Sequence, residues 1–182
     1  MMKAKKTPIR ELCRMSLFAA IIAVCAQVSI PMPYGVPMTL QTFAVPLAGL
    51  VLGMKNGTSA ALIYIILGAA GVPVFAGFTG GPGIIFGRTG GFILSFPLMA
   101  LTAGAGANKK NIQLILWLAA GAIINFACGM LMFSFVTSNN LIISFTYVVL
   151  PFIPTAVVKI IMAAVSGRLI NRALVKAGVP VR

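Results

Sequence analysis

Histidine and aspartate are absent from this 182-residue sequence, and Glu11 is its single acidic residue. Paired-carboxylate catalysis, nucleophiles activated by an imidazole, and zinc or magnesium sites all need side chains that are missing here. The composition therefore predicts a protein that is not an enzyme and that holds no metal ion or other cofactor.

Cysteine and charge are also scarce. Cys13, Cys25 and Cys128 show no CxxC spacing and lie in or beside apolar runs, so we interpret them as small packing residues. Charged residues make up 8% of the chain and hydrophobic residues 60%, whereas a soluble domain has roughly a quarter of its residues charged. A chain with so little polar surface belongs in a lipid bilayer.

The net charge of +13 does not indicate nucleic-acid binding. The basic residues are scattered between apolar runs instead of forming one stripe, and the aromatic residues lie inside those runs. We therefore expect no nucleic-acid partner.

Charges, prolines and glycines divide the chain into segments that predict six transmembrane helices. Their approximate bounds are 9–30, 39–53, 58–70, 91–106, 112–136 and 154–175. The second and third are short and rich in small residues, which favours thinned, tilted or buried helices. The stretch 141–150 is too short to cross and is interpreted as a re-entrant or surface-lying lid. The prediction is one all-α membrane domain over residues 1–182, with no soluble domain.

The basic residues predict the orientation of these helices. With the N-terminus in the cytoplasm, all of the 14 lysines and arginines except Arg88 and Lys159 lie on the cytoplasmic side. Both termini are then cytoplasmic. We read the first apolar run as a retained helix, because no convincing signal-peptide cleavage site follows it.

Residues 71–91 form a glycine-rich loop between the third and fourth helices, on the outer side of the membrane. Its many glycines and apolar side chains predict backbone that folds back at membrane depth against protein or a polar cavity. A compact loop with no ligand role is the alternative. The glycine spacing matches neither GxGxxG nor a Walker motif, so we predict no nucleotide site.

Lys159 interrupts an apolar run of the last helix, at a cost on the order of 3 kcal/mol unless it reaches the interface or finds a partner. Two interpretations stay open: the side chain extends outward to lipid, or it faces a cavity in which an anionic ligand supplies the counter-charge. Arg88, on the same side, has similar alternatives, a lipid-phosphate anchor or a bidentate carboxylate clamp.

Uncharged polar residues and aromatic rings near the outer side complete a candidate pocket. A mostly apolar site with a few polar points is usual for small molecules. Besides the two cations, the predicted ligand-binding residues are Tyr34, Thr39, Gln41, Phe75, Phe78 and Asn125. We expect Thr39 and Gln41 to open the second helix. Asn125, within the fifth helix, is equally explained by an interhelical hydrogen bond.

The single carboxylate, Glu11, lies at the cytoplasmic end of the first helix beside Arg10 and Arg14, and the sequence has no histidine, so we predict no proton relay within the membrane. A protein of this kind that concentrates a solute must take its energy from another polypeptide.

Ala19 and Ala23 form a small-xxx-small pair that allows a second helix to approach closely, although alanine is common enough in membrane helices for chance to explain the pair.

Several runs, at 36–45, 47–50, 67–78 and 87–92, together with 151–154 followed by Lys159, form a pattern over nearly the whole chain. This pattern resembles the BioY family, the biotin-binding S-components of energy-coupling-factor (ECF) transporters. The resemblance implies a six-helix subunit of the bacterial cytoplasmic membrane that captures biotin from outside. It also implies delivery inward with a transmembrane coupling subunit and two cytoplasmic ATPase subunits.

The resemblance also assigns roles to individual residues. Ala19 and Ala23 match the AxxxA contact with the coupling subunit, and Lys159 matches a lysine associated with biotin binding. Two positions depart from the family pattern, namely Ala156, where aspartate is usual, and Arg88, where proline is usual. These departures keep two alternatives open, an S-component for another small anionic vitamin or biotin analogue, and a non-transporting membrane assembly protein.

Overall fold

Helices dominate a computed structural model of the protein, which describes residues 9–178. The helices are α1 (Ile9–Gln27), α2 (Gln41–Ala69), α3 (Pro82–Ile85), α4 (Gly90–Leu94), α5 (Phe96–Gly106), α6 (Asn111–Thr137), α7 (Leu141–Val148) and α8 (Ile153–Lys176), with a 3-10 turn at Leu150–Phe152. Two short strands, β1 (Ser29–Ile30) and β2 (Met38–Thr39), pair antiparallel. The prediction that Thr39 lies in a helix is therefore wrong. The N-terminal lysines and Arg182, used for the predicted orientation, lie outside the described residues.

Helix ends fall near the residues that predicted them, although α1 ends at Gln27 and not at residue 30, because residues 29–30 pair as β1. Pro31 and Pro33 follow α1 and lie in the connection between β1 and β2. α6 begins directly after Lys109 and Lys110 and ends at Thr137, because the next residue, Ser138, has a φ of 55° and leaves the helical region. Local sequence thus sets most of the boundaries.

α2 is a helical hairpin and not one straight helix. Gly53, with φ 81° and ψ 175°, adopts a conformation open to glycine because it has no Cβ, and the chain reverses there. The two arms, residues 41–52 and 54–69, pack so closely that a Cβ on Gly57 would lie 2.6 Å from the Cα of Gly49. These arms correspond to the short second and third helices predicted from the sequence.

The first arm of α2 lies at the centre of the molecule. Nearly all of its residues from Ala44 to Leu52 are buried. It packs against α1, α5 and α8 as well as against the second arm. Since each arm is shorter than the roughly 20 residues that cross a bilayer, enclosure by neighbouring helices explains how such short segments sit at membrane depth.

Three helical segments of the described residues are long and apolar enough to cross a membrane: Gln41–Ala69, Asn111–Thr137 and Leu141–Lys176. Gly90–Gly106 forms a shorter apolar helix. The protein is a membrane protein, as predicted. The number of crossings and the side on which each terminus lies stay predictions.

A second apolar cluster ties the connection between β1 and β2 to α6 and α7. Val36 packs with Phe133 of α6 and with Val148, Val149 and Phe152 at the end of α7 and the following turn. Within the 141–150 stretch, residues 141–148 form the short helix α7, and its placement as a re-entrant or surface-lying lid stays a prediction. Asn140 caps α7, with its Oδ1 accepting a hydrogen bond from the backbone N–H of Ile143 at 2.8 Å.

Candidate ligand-binding site

A cavity of about 310 Å³ lies where β2, the start of α2, residues 75–93 and helices α5, α6 and α8 converge. Its volume falls at the lower end of the range for small-molecule pockets, ~300 to 1,000 Å³. Apolar side chains cover most of the wall. The polar side chains on it are those of Thr39, Gln41, Thr42, Thr79, Thr89, Asn125, Thr155 and Lys159.

Lys159 faces this cavity. Its side chain is 9% exposed, and its Nζ donates to the backbone oxygen of Thr39 at 2.7 Å and to Oγ1 of Thr42 at 3.1 Å. The geometry therefore supports the interpretation in which Lys159 faces a cavity over the one in which it extends outward to lipid. Both partners are neutral, and Glu11, the one acid of the sequence, lies on α1, so the ammonium keeps an uncompensated positive charge in the cavity wall.

Gln41, the first residue of α2, is held by β2 and by the second arm of the hairpin. Its Oε1 accepts from Oγ1 of Thr39 at 2.9 Å, and its Nε2 donates to Oη of Tyr64 at 2.6 Å. Oη of Tyr64 in turn donates to the backbone oxygen of Val74 at 3.1 Å. A continuous chain of hydrogen bonds thus connects the cavity wall to the glycine-rich loop.

The glycine-rich loop packs against the end of α1, and its predicted position at membrane depth stays a prediction. Gln27 fixes the loop to the end of α1: its Nε2 donates to the backbone oxygen of Phe75 at 3.1 Å, and its Oε1 accepts from the backbone N–H of Phe78 at 2.9 Å. Phe75 is buried and lines the cavity. Phe78, in contrast, has φ 56°, is 72% exposed and does not line the cavity.

Asn125 lies on the cavity wall and also bridges helices. Its Nδ2 donates to the backbone oxygen of Phe92 in α4 at 2.8 Å and to Oγ of Ser95 at 2.7 Å. The two interpretations of Asn125, an interhelical hydrogen bond and a residue of the ligand pocket, are therefore compatible, since the amide bonds to another helix and also borders the cavity.

Arg88 and Tyr34 lie at the rim and do not line the cavity. Arg88 is exposed, and its guanidinium lies over Gly35, where an added Cβ would be 3.4 Å from Nη1. Tyr34 stacks on Tyr147 of α7, with ring centroids 3.6 Å apart and an interplanar angle of 6°. Desolvation, with a smaller contribution from Tyr147, raises the pKa of the Tyr34 phenol above its ordinary value. Gly35 itself lines the cavity, so this pair of rings and Arg88 border its entrance.

Residues 1–176 match the sequence profile of the BioY family. The chain belongs to the BioY family. It is 44% identical over 165 residues to a probable biotin transporter BioY of Pyrococcus horikoshii, covering 90% of this chain and 94% of the relative. It is 39% identical over 160 residues to the biotin transporter BioY of Thermotoga maritima, covering 86% and 92%. Both relatives are named as transporters, in agreement with the prediction that the chain is not an enzyme.

The fold also matches a solved structure. The crystal structure of the S-component for biotin from an ECF-type ABC transporter superimposes with a TM-score of 0.83, covering 92% of this chain and 95% of that one. Its sequence identity of 24% makes this a likeness of fold. The fold of that S-component is therefore present over nearly the whole chain.

The departures from the BioY pattern have clear positions. Ala156 lines the cavity one turn before Lys159 on α8. Its methyl group brings no carboxylate to this wall, which leaves the site positive. Arg88, the second departure, adds another cation at the rim.

Some cavity residues were not singled out from the sequence. Thr42 directly follows Gln41, and its hydroxyl in an otherwise apolar arm was a signal that could have found it. Thr89 follows Arg88 in the loop and lines the cavity in its place. Tyr64 and Ser95 are buried behind Gln41 and Asn125, where sequence offers no sign of their partners.

The predicted docking pair on α1 does not lie on an open face. Ala19 is 4% exposed and packs in the core, and Ala23 is half-buried beside it. The face of α1 that points away from the protein carries Leu17, Ala20 and Val24. Docking through Ala19 and Ala23 stays a prediction, as does the absence of a cofactor.

Proposed function

We propose that the protein is the biotin-binding S-component of an ECF-type uptake transporter. The observation that carries this proposal is the buried, uncompensated Lys159 in the wall of a mostly apolar cavity. An apolar wall suits the ring system and alkyl chain of biotin, and a desolvated ammonium suits its carboxylate. Membership of a family whose relatives are named biotin transporters supports the same ligand.

In this proposal Lys159 binds the valerate carboxylate inside the cavity. Thr39 and Thr42 each take one proton of its ammonium, so its third proton is available to the ligand. Arg88, exposed at the rim, attracts the carboxylate as the ligand approaches the entrance. Gln41, Asn125 and Phe75 shape the remainder of the site.

The chain works in the cytoplasmic membrane of a bacterium, with six crossings, both termini inside and the cavity opening outward. Release of biotin to the cytoplasm requires a transmembrane coupling subunit and two cytoplasmic ATPase subunits. The sequence supports this dependence, because it contains no nucleotide motif and no aspartate or histidine for a proton relay.

A second candidate ligand is another small anionic vitamin or a biotin analogue, and Ala156 is the observation that favours it. Without a carboxylate at this position the site lacks one acceptor for a ureido group. The third candidate, a non-transporting assembly protein with its cations anchored in lipid, is less well supported, because Lys159 faces the cavity and not the lipid.

Equilibrium binding of radiolabelled biotin to the detergent-purified protein tests the proposal. We expect saturable binding by the wild type and a large loss in Lys159→Ala, whereas Lys55→Ala, at an exposed lysine away from the cavity, should bind normally. Absence of saturable binding by the wild type would contradict the proposal. Stronger displacement by thiamine, riboflavin or desthiobiotin than by biotin would favour the second candidate.

A further inference from the structure

The carboxamide of Asn125 has one allowed orientation. Its Nδ2 lies 2.8 Å from the backbone oxygen of Phe92, and that oxygen can only accept hydrogen bonds. Rotation of the amide by 180° would place Oδ1 against this carbonyl, so that two acceptors would face each other. The nitrogen must therefore face α4, which turns Oδ1 away from it.

Ser95, at the junction of α4 and α5, reinforces this orientation. Its Oγ donates to the backbone oxygen of Phe92 at 2.9 Å, which uses the single proton of the hydroxyl. Oγ of Ser95 can then only accept from Nδ2 of Asn125, at 2.7 Å. Both N–H groups of Asn125 are thus committed to α4 and its junction with α5.

The oxygen of Asn125 is left without a donor. The residue is 2% exposed and lines the cavity, yet among the described residues no group donates to its Oδ1. Nor is this atom sealed inside the protein: within residues 9–178 the one fully enclosed polar side-chain atom without a partner is Oδ1 of Asn171. Since an unpaired amide oxygen in a desolvated site is unfavourable, Oδ1 of Asn125 is suited to a donor carried by the ligand.

We propose that Asn125 determines ligand specificity by accepting a hydrogen bond from an N–H group of the ligand, and that Ser95 is the positioning residue that holds its amide in this orientation. The inference rests on the proposed function. It narrows the ligand class to small molecules with an N–H donor in one part and an anionic group in another. Biotin meets both conditions through its ureido N–H groups and its carboxylate.

The side-chain amide acceptors of this site lie on α2 and α6, and Ala156 of α8 provides no carboxylate. Oε1 of Gln41 already accepts from Oγ1 of Thr39. Oδ1 of Asn125 accepts nothing, so it is the stronger candidate for the ureido N–H. Acceptance by Oδ1 of Asn125 also explains how a chain with Ala156 in place of an aspartate can recognise a ureido group.

Asn125→Leu removes the acceptor and keeps a similar volume. Dissociation constants are measured for biotin and for two biotins, each methylated on one ureido nitrogen. We expect the substitution to weaken biotin binding by about tenfold. For one of the two analogues, methylation should weaken binding to the wild type by a similar factor and should have no further effect on Asn125→Leu.

Two outcomes overturn the inference in different ways. Equal penalties for both methylations in the wild type and in Asn125→Leu would show that the N–H groups are recognised elsewhere, while biotin binding itself stands. Absence of biotin binding by the wild type would overturn the proposed function and this inference together.

Ser95→Ala tests the positioning role. We expect a loss of a few-fold in biotin affinity, and no further loss when Ser95→Ala is combined with Asn125→Leu, because Ser95 acts through Asn125. Ser144→Ala is the matched control, since Ser144 is fully buried, bonds to the backbone oxygen of Asn140 and lies away from the cavity. If Ser95→Ala lowers biotin affinity as much in the Asn125→Leu variant as it does in the wild type, Ser95 does not act through Asn125 and the positioning role is overturned.

Discussion

Gln41 and Tyr64 are 23 residues apart in the sequence, yet Nε2 of Gln41 donates to Oη of Tyr64 at 2.6 Å. A straight helix would separate them by roughly 35 Å. The reversal at Gly53 brings them together, and the second hydrogen bond of Tyr64, to Val74, extends the contact to the glycine-rich loop. One glycine therefore positions an amide on the cavity wall.

Tyr64→Phe should weaken biotin binding without unfolding the protein. The ring and its packing against Phe75 remain, but Nε2 of Gln41 and the oxygen of Val74 each lose a partner. We expect a loss of about 1 kcal/mol in binding free energy, roughly fivefold in the dissociation constant measured by titration calorimetry. Ser144→Ala, which removes a buried hydroxyl away from the cavity and leaves this chain of hydrogen bonds intact, serves as the control. Unchanged affinity in Tyr64→Phe would contradict a role for the chain in positioning Gln41.

Lys159→Met should reveal which part of the ligand the lysine binds. A charge-assisted hydrogen bond contributes about 1.5–3 kcal/mol, so we expect biotin affinity to fall by roughly 10- to 100-fold. Biotinamide, which is neutral, should bind weakly to the wild type and about equally to Lys159→Met. If Lys159→Met lowers the affinity for biotinamide as much as it lowers the affinity for biotin, the lysine does not bind the carboxylate.

The order of the helices could be predicted from the sequence because it depends on local chemistry. Prolines after α1, lysines before α6 and small residues around Gly53 each mark a boundary. The hairpin geometry of α2 was not predicted in detail, because it depends on the close approach of Gly49 and Gly57 across the two arms. Such a contact leaves no signal in a hydropathy pattern.

Part of the candidate site could also be predicted from the sequence, namely the polar residues that interrupt apolar runs. Lys159, Gln41 and Asn125 interrupt apolar runs, and a polar side chain at membrane depth must face other polar groups or a cavity. Phe75 and Phe78 look alike in the sequence, and only the path of the loop determines that the first is buried and the second exposed. The buried partners Ser95 and Tyr64 become apparent only when distant segments are brought together.

Arg88→Gln should slow the association of biotin more than it speeds dissociation. Arg88 is exposed at the rim and is not part of the cavity wall, so its charge acts mainly on the approaching anion, and salt screens that attraction. We expect the association rate constant to fall by a few-fold at low salt and the difference to shrink at high salt. Arg172→Gln, at an exposed arginine of α8, is the control for the lost charge. An effect confined to the dissociation rate would place Arg88 against the bound carboxylate instead.

Substitutions on α1 should separate folding from docking on the proposed coupling subunit. Ala19 is enclosed by the chain's own core, so Ala19→Trp has no room and should lower the unfolding temperature of the purified protein. Ala20 lies on the outward face, so Ala20→Trp should leave folding and biotin binding intact while it reduces copurification with the coupling subunit. The surface for a partner helix is then the one formed by Leu17, Ala20 and Val24. Normal copurification of Ala20→Trp, together with its loss in a folded Ala23→Trp variant, would restore the Ala19–Ala23 pair as the docking contact.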